Sequence, residues 1–453
     1  MRPQQNAPAR HLALFVATTL VASAAADPLV TLNDEDDFLP DEAFYAVNPG
    51  AITDVKSGGF FAVGGPDDAF DFNGTTVNLS GTGQIGSRFL RSYQENGTFN
   101  MTGGRIEDGS TFAGRTGLTN VNMSGGLTVL RLTMQGNTRF TATGGQIGLN
   151  PPGGVPSLIA EGDSIVTIDG ASVEDNVQVQ ESASLVMTSG SIDHFMSIRD
   201  DAVVTVAGGV TGRVMHTFDD STLNIIGGTV GREFAATENS VVNMSGGGLE
   251  QDGGVFDNAV FNLRGGAVEN GFRAFGGKMN IMGGLVGDRF RLGAPGRNGR
   301  DSHAEIFATN ASIDGLEIEG SRVIGEREGQ FLTADLVLGG LIGLELSPSG
   351  VDKILDESLL TLTIVNETGD ANGDGLFDAA DYTIWRDTLG EEVARFTDGD
   401  FDGSGLVDNA DYALWAAAYG GTLLASGMAM AVPEPTALVL AAFASLLIVS
   451  RCG

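Results

Sequence analysis

Two twelve-residue segments, Asp370–Asp381 and Asp400–Asp411, carry the chain's most specific chemistry. They read DANGDGLFDAAD and DFDGSGLVDNAD. A hard cation such as calcium needs six or more oxygens, and a loop of this length supplies them from positions 1, 3, 5, 7, 9 and 12, with glycine at 6 for the sharp turn. In the first loop those positions are Asp370, Asn372, Asp374, the Leu376 carbonyl, Asp378 and Asp381, with Gly375 at the turn. In the second they are Asp400, Asp402, Ser404, the Leu406 carbonyl, Asp408 and Asp411, with Gly405 at the turn. The spacing predicts two calcium sites. Position 12 is Asp in both, a shorter arm than Glu, so reaching the ion with both oxygens is harder.

Each loop must be closed by an element that fixes its last ligand. DYTIWRDTLG and DYALWAAAYG follow, each reading as a helix. Tyr382 and Trp385 match Tyr412 and Trp415, and the i, i+3 spacing puts each pair on one helix face. Those aromatics are expected to form the core between two loop–helix units, rather than a ligand-stacking surface.

The segment 369–420 resembles a dockerin type I domain, two calcium loops each followed by a helix. The resemblance is strongest to the divergent form that precedes PEP-CTERM tails. It implies calcium binding and a cohesin-like partner, or else a calcium-stabilised spacer. Loop positions 10 and 11, which in dockerins help choose the cohesin, are Ala379-Ala380 and Asn409-Ala410 here, not Ser or Thr.

Both chain ends read as processing signals. Arg2 and Arg10, the apolar run LALFVATTLV, and small residues before Asp27 make residues 1–26 a secretory signal peptide for signal peptidase. At the other end a linker, 421–432, leads into Pro433-Glu434-Pro435, an apolar stretch and Arg451. Residues 433–453 resemble the PEP-CTERM sorting signal. That implies an exosortase-like processing enzyme, a C-terminal hydrophobic helix in the membrane before processing, and a surface location. A permanent membrane anchor is the alternative.

Most of the chain lies between these signals. Its 67 glycines, twice the usual share, call for many tight turns, and there is no Gly-X-Y period. From about 70 to 290 the first turn residue after each short strand falls at 81, 103, 125, 144, 170, 189, 208, 227, 246, 265 and 283, and five consecutive steps are of 19 residues. Four and two residues before each turn stand apolar residues, with a mostly Asn or Thr residue between them. Apolar–polar–apolar is a strand with one buried face. One coil cannot cover that face, whereas stacked coils bury a continuous core. The prediction is a mainly β fold: a parallel β-solenoid of about eleven coils, roughly 50 Å long at 4.8 Å per coil. It resembles right-handed parallel β-helix proteins of bacterial surfaces. The intervening Asn and Thr residues are expected to form an outward row whose amides bond up the stack. Residues 27–69 read as an acidic lead-in and N-terminal cap, and 291–368 as a β segment capping the far end.

Composition excludes much else. A net charge of −33 argues against nucleic acid. One Cys and four His exclude a disulfide framework and leave little for zinc. The leading functional expectation is an exported structural or adhesion protein at the cell surface. The alternative is an extracellular polysaccharide-degrading enzyme, a lyase or glycoside hydrolase. Its nearest candidates for a carboxylate-lined site are Asp200, Asp201, Asp219 and Asp220 beside Arg199 and Arg213, with His194 and His216 at different coil positions.

Overall fold

The structure is a computed structural model. It describes most of residues 28–419. Residues 1–27 and 420–453 lie outside the described residues, as do short internal stretches such as 33–44, 150–154, 294–301 and 373–375. The signal peptide, linker and sorting motif therefore fall outside it. No described helix is long and apolar enough to cross a membrane.

One regular coil illustrates how the sequence builds the stack. Thr222–Ile225, Thr229–Val230 and Phe234–Ala236 are three strands joined by corners. Each pairs in parallel with its counterpart nineteen residues on: Val241–Met244, Gly248–Leu249 and Gly254–Phe256. Three parallel sheets thus run along the stack, confirming the solenoid. The expected inward positions are all buried, among them Val77, Phe140, Leu185, Leu223 and Phe261, together with Leu79, Met123, Met187, Ile225 and Ile281. At roughly 1.5–3 kcal/mol for each large side chain, this continuous apolar column is the main driving force of the fold. Phe234, Phe261 and Phe272 fill a wide part of it, with ring centroids 5.0–6.4 Å apart.

Two corners are held by different means. At the Gly-Gly corner the second glycine has positive φ, as at Gly228 (φ 72), and a Cβ there would lie 2.7 Å from the Gly209 carbonyl oxygen. The corner of the neighbouring coil passes too close for any side chain. At the other corner acidic residues adopt the left-handed conformation: Glu181, Asp200, Asp219 and Glu238, with φ between 53 and 59. Their carboxylates justify the strain by accepting main-chain N–H bonds from the preceding coil. The donors are Gly162, Glu181, Asp200 and Asp219 respectively, at 2.7–3.1 Å.

The Asn row is a hydrogen-bonded ladder in two runs. Asn100 donates to Asn78 and Asn122 to Asn100; farther along, Asn243 donates to Asn224, Asn262 to Asn243 and Asn280 to Asn262, all at 2.7–3.0 Å.

Parallel pairing begins before the legible repeat. Pro28–Leu32 pairs with Ile52–Val55, which pairs with Thr76–Leu79. At the far end His303–Ala308 still pairs in parallel with Leu359–Ile364. There antiparallel pairing enters: His303–Ile313 runs against Gln330–Leu336, which forms a hairpin with Leu341–Leu346.

Candidate metal centre

The last described elements are two ten-residue helices, α1 (Ala379–Thr388) and α2 (Asn409–Ala418). Each is started by an aspartate at loop position 9. Asp378 accepts from the Ala380 N–H at 2.7 Å and Asp408 from the Ala410 N–H at 2.6 Å. Asp381 and Asp411 return the bond to the main chain of Asp378 and Asp408, completing a capping box at each helix. The sequence therefore gives position 9 a second task, and in the second loop Asp408 does not join the carboxylate cluster.

The other oxygens of that loop do converge. Asp400, Asp402 and Asp411 offer carboxylate oxygens all within 4.8 Å of one another, and Asp400 and Asp411 are buried. Ser404 Oγ lies 3.2 Å from Asp400 Oδ1 and 2.8 Å from the Leu406 carbonyl oxygen, so two more ligand candidates sit beside the cluster. Both oxygens of Asp411 already accept loop N–H groups, from Asp402 at 2.9 Å and Asp408 at 2.7 Å. A carboxylate has about four acceptor sites, so each oxygen retains one.

Electrostatics give the cluster its need. Burial raises the Asp400 carboxyl above its ordinary range; N–H bonds from Gly405 and Phe396 oppose this, and neighbouring Asp402 adds to it. Burial also raises Asp411, with Asp402 and Asp400 adding. Desolvated carboxylates facing one another are costly unless a cation compensates them. The donor set is all oxygen, which suits calcium or another hard divalent ion.

In the first loop Asp370 and Asp381 are buried, and Asp381 Oδ1 accepts from the Ala371 and Asn372 N–H groups at 2.9 and 3.3 Å. That mirrors Asp411. Asp374 lies outside the described residues, and among those described no second three-acid cluster forms. Asn372 and Leu376 belong to the same loop, and Phe377, which follows Leu376, is buried.

The aromatic pairs join the two halves. Trp385, Phe401 and Val407 are buried, with Tyr382 and Trp415 packed on them. Tyr382 and Trp415 centroids are 5.1 Å apart, as are those of Trp385 and Tyr412. The expected aromatic core is present. Sequence reasoning missed the indole bonds that cross it: Trp415 donates to the Asp378 carbonyl at 3.1 Å, and its counterpart Trp385 does likewise to the opposite loop.

It also missed that the second loop rests on the solenoid. Arg264 Nη1 lies 3.2 Å from Asp402 Oδ2. Arg395 donates to the Gly403 carbonyl and, at 3.4 Å, to Asn262 Oδ1 of the ladder. Phe396 packs on Phe307 at 5.0 Å. A cleft of about 440 Å³ remains between them, lined by the ladder's Asn224, Asn243 and Asn262 and by Arg264, Arg395 and Ser404.

Several of the solenoid's candidate site residues have other partners. Asp200 and Asp219 hold corners, and Asp220 accepts from Asn239. His194 is exposed, 3.2 Å from Asp175. His216 sits edge-on between Phe195 and Phe218, and burial lowers its pKa. Arg213 pairs with Glu233 at 2.8 Å in an open cleft of about 600 Å³. No protein-family model, curated protein or solved structure matches this chain.

Proposed function

We propose that this protein is an exported structural or adhesion element of the bacterial cell surface. The solenoid is its body, and a dockerin-like calcium module joins that body to a sorting tail. The convergence of Asp400, Asp402 and Asp411 carries the calcium part of this reading. Two equivalent loops support a second ion held by Asp370, Asn372, Asp374, the Leu376 carbonyl, Asp378 and Asp381. Bound calcium neutralises the carboxylates and locks each loop onto the helix that follows it. Export rests on residues 1–26 and on Pro433-Glu434-Pro435 with the apolar stretch behind it.

Cell-surface polysaccharide and a cohesin-like protein are the partners this architecture suits. Calorimetry on EGTA-treated protein tests the calcium reading: two equivalents per chain are expected, and no heat of binding sinks it. A screen of the mature chain against anionic and neutral polysaccharides tests the scaffold reading. Release of reducing ends or unsaturated products would replace it with the enzymatic one.

A further inference from the structure

The two cation loops match in sequence. The second rests on the solenoid, where Arg264 faces Asp402 and Arg395 bridges the loop carbonyl of Gly403 to Asn262. The Arg264 and Asp402 side chains are 24% and 18% exposed, so solvent screens their attraction weakly. Arg264 thus already supplies part of the positive charge that a cation at Asp400, Asp402 and Asp411 would supply.

We infer that Arg264 and Arg395 lower the affinity of the second cation site and couple its occupancy to docking of the module on the Asn ladder. This rests on the calcium reading above. Asp402 directs Oδ1 at the Ser404 N–H and Oδ2 at Arg264. A divalent ion drawing on the same carboxylate competes with the guanidinium for its charge and repels it. By linkage, whatever the docked arginines cost the ion, the ion costs the docking. The Phe396–Phe307 contact is not electrostatic and holds the module on the solenoid while the charge balance shifts.

The test is calcium calorimetry on the full mature chain, comparing the native protein with Arg264→Met, Arg395→Met and Arg264→Lys. Arg264→Met should tighten one of the two sites on the order of tenfold and leave the other unchanged. Arg264→Lys, which keeps the charge, should stay near the native value. Arg395→Met should tighten the same site, and keeps the proposal testable if Arg264→Met does not fold. In the native protein, calcium should also speed proteolytic separation of the module from the solenoid. Affinities unchanged by either Met variant, or weakened by them, would overturn the coupling while leaving calcium binding intact. Absence of calcium binding in every protein would overturn both.

Discussion

Trp385 donates its indole N–H to the main-chain carbonyl of Asp408 at 2.7 Å, tying the first helix to the residue that starts the second. Trp385→Phe keeps a six-membered aromatic ring but removes the donor together with the pyrrole half of the indole, leaving that carbonyl without its indole partner. A loss of about 1–3 kcal/mol, from the unpaired carbonyl and the space left behind, is expected in thermal unfolding of the calcium-loaded protein. The more exposed Trp415, whose bond to Asp378 is 3.1 Å, should cost less on the same change. Equal or reversed losses would show that the indole bonds do not carry the effect.

Asp411 closes the second loop through both oxygens. Asp411→Ala should lower the calorimetric stoichiometry from two calcium ions to one. It should also destabilise the calcium-free module by about 1–3 kcal/mol, because two N–H groups lose their acceptors. Two remaining equivalents would remove Asp411 from the site.

The raised carboxyls of Asp400 and Asp411 fix the sign of a pH effect. Folded, these groups hold protons more tightly than unfolded, so the calcium-free module gains stability from them in acid and loses it as pH rises through their folded values. Protons and calcium compete for the same oxygens. Calcium affinity should therefore begin to fall at a higher pH, on acidification, than ordinary carboxylates would give. Calcium titrations across the acidic range check this, and an affinity flat down to the ordinary carboxylate range would contradict it.

Asn243 donates to Asn224 and accepts from Asn262. Asn243→Asp retains the acceptor and sets a carboxylate oxygen against the Asn224 carbonyl oxygen. A loss of about 1–3 kcal/mol in urea unfolding is expected, with calcium stoichiometry unchanged. An unchanged urea midpoint would mean that the ladder adds nothing to stability.

Two glycines make a matched pair. Gly228 has positive φ and no room for a Cβ, whereas a Cβ at Gly248 would have only the Ala267 carbonyl oxygen for company, at 4.0 Å. Gly228→Ala should cost about 1–3 kcal/mol, and Gly248→Ala should be near neutral. Similar midpoints for the two variants would refute the steric account of the corner.

The fold was legible where the coil length was constant, because a fixed period places Leu223, Val242 and Phe261 in register without any knowledge of the corners. It was less legible before residue 70, where Ile52–Val55 pairs with Thr76–Leu79 across a longer and less regular coil. It was also less legible after 290, where antiparallel strands break the period. In the metal loops, ligand spacing pointed to Asp400, Asp402 and Asp411, since local sequence sets that geometry. Arg264 could not be found this way. It lies 138 residues before Asp402, and only the docked arrangement brings them together. The reach of the left-handed corner acids to the previous coil depends on stacking, which local sequence does not show.

The amide ladder has a direction. In both runs the later asparagine supplies the N–H and the earlier one the oxygen, and the first run starts at Asp54, which accepts from Asn78 at 2.8 Å. The corner acids point the same way, each from the newer coil toward a donor in the older one. A chain delivered amino end first therefore presents every new coil with a finished template for these side chains. The stack can grow by accretion, like a crystal on a seed face.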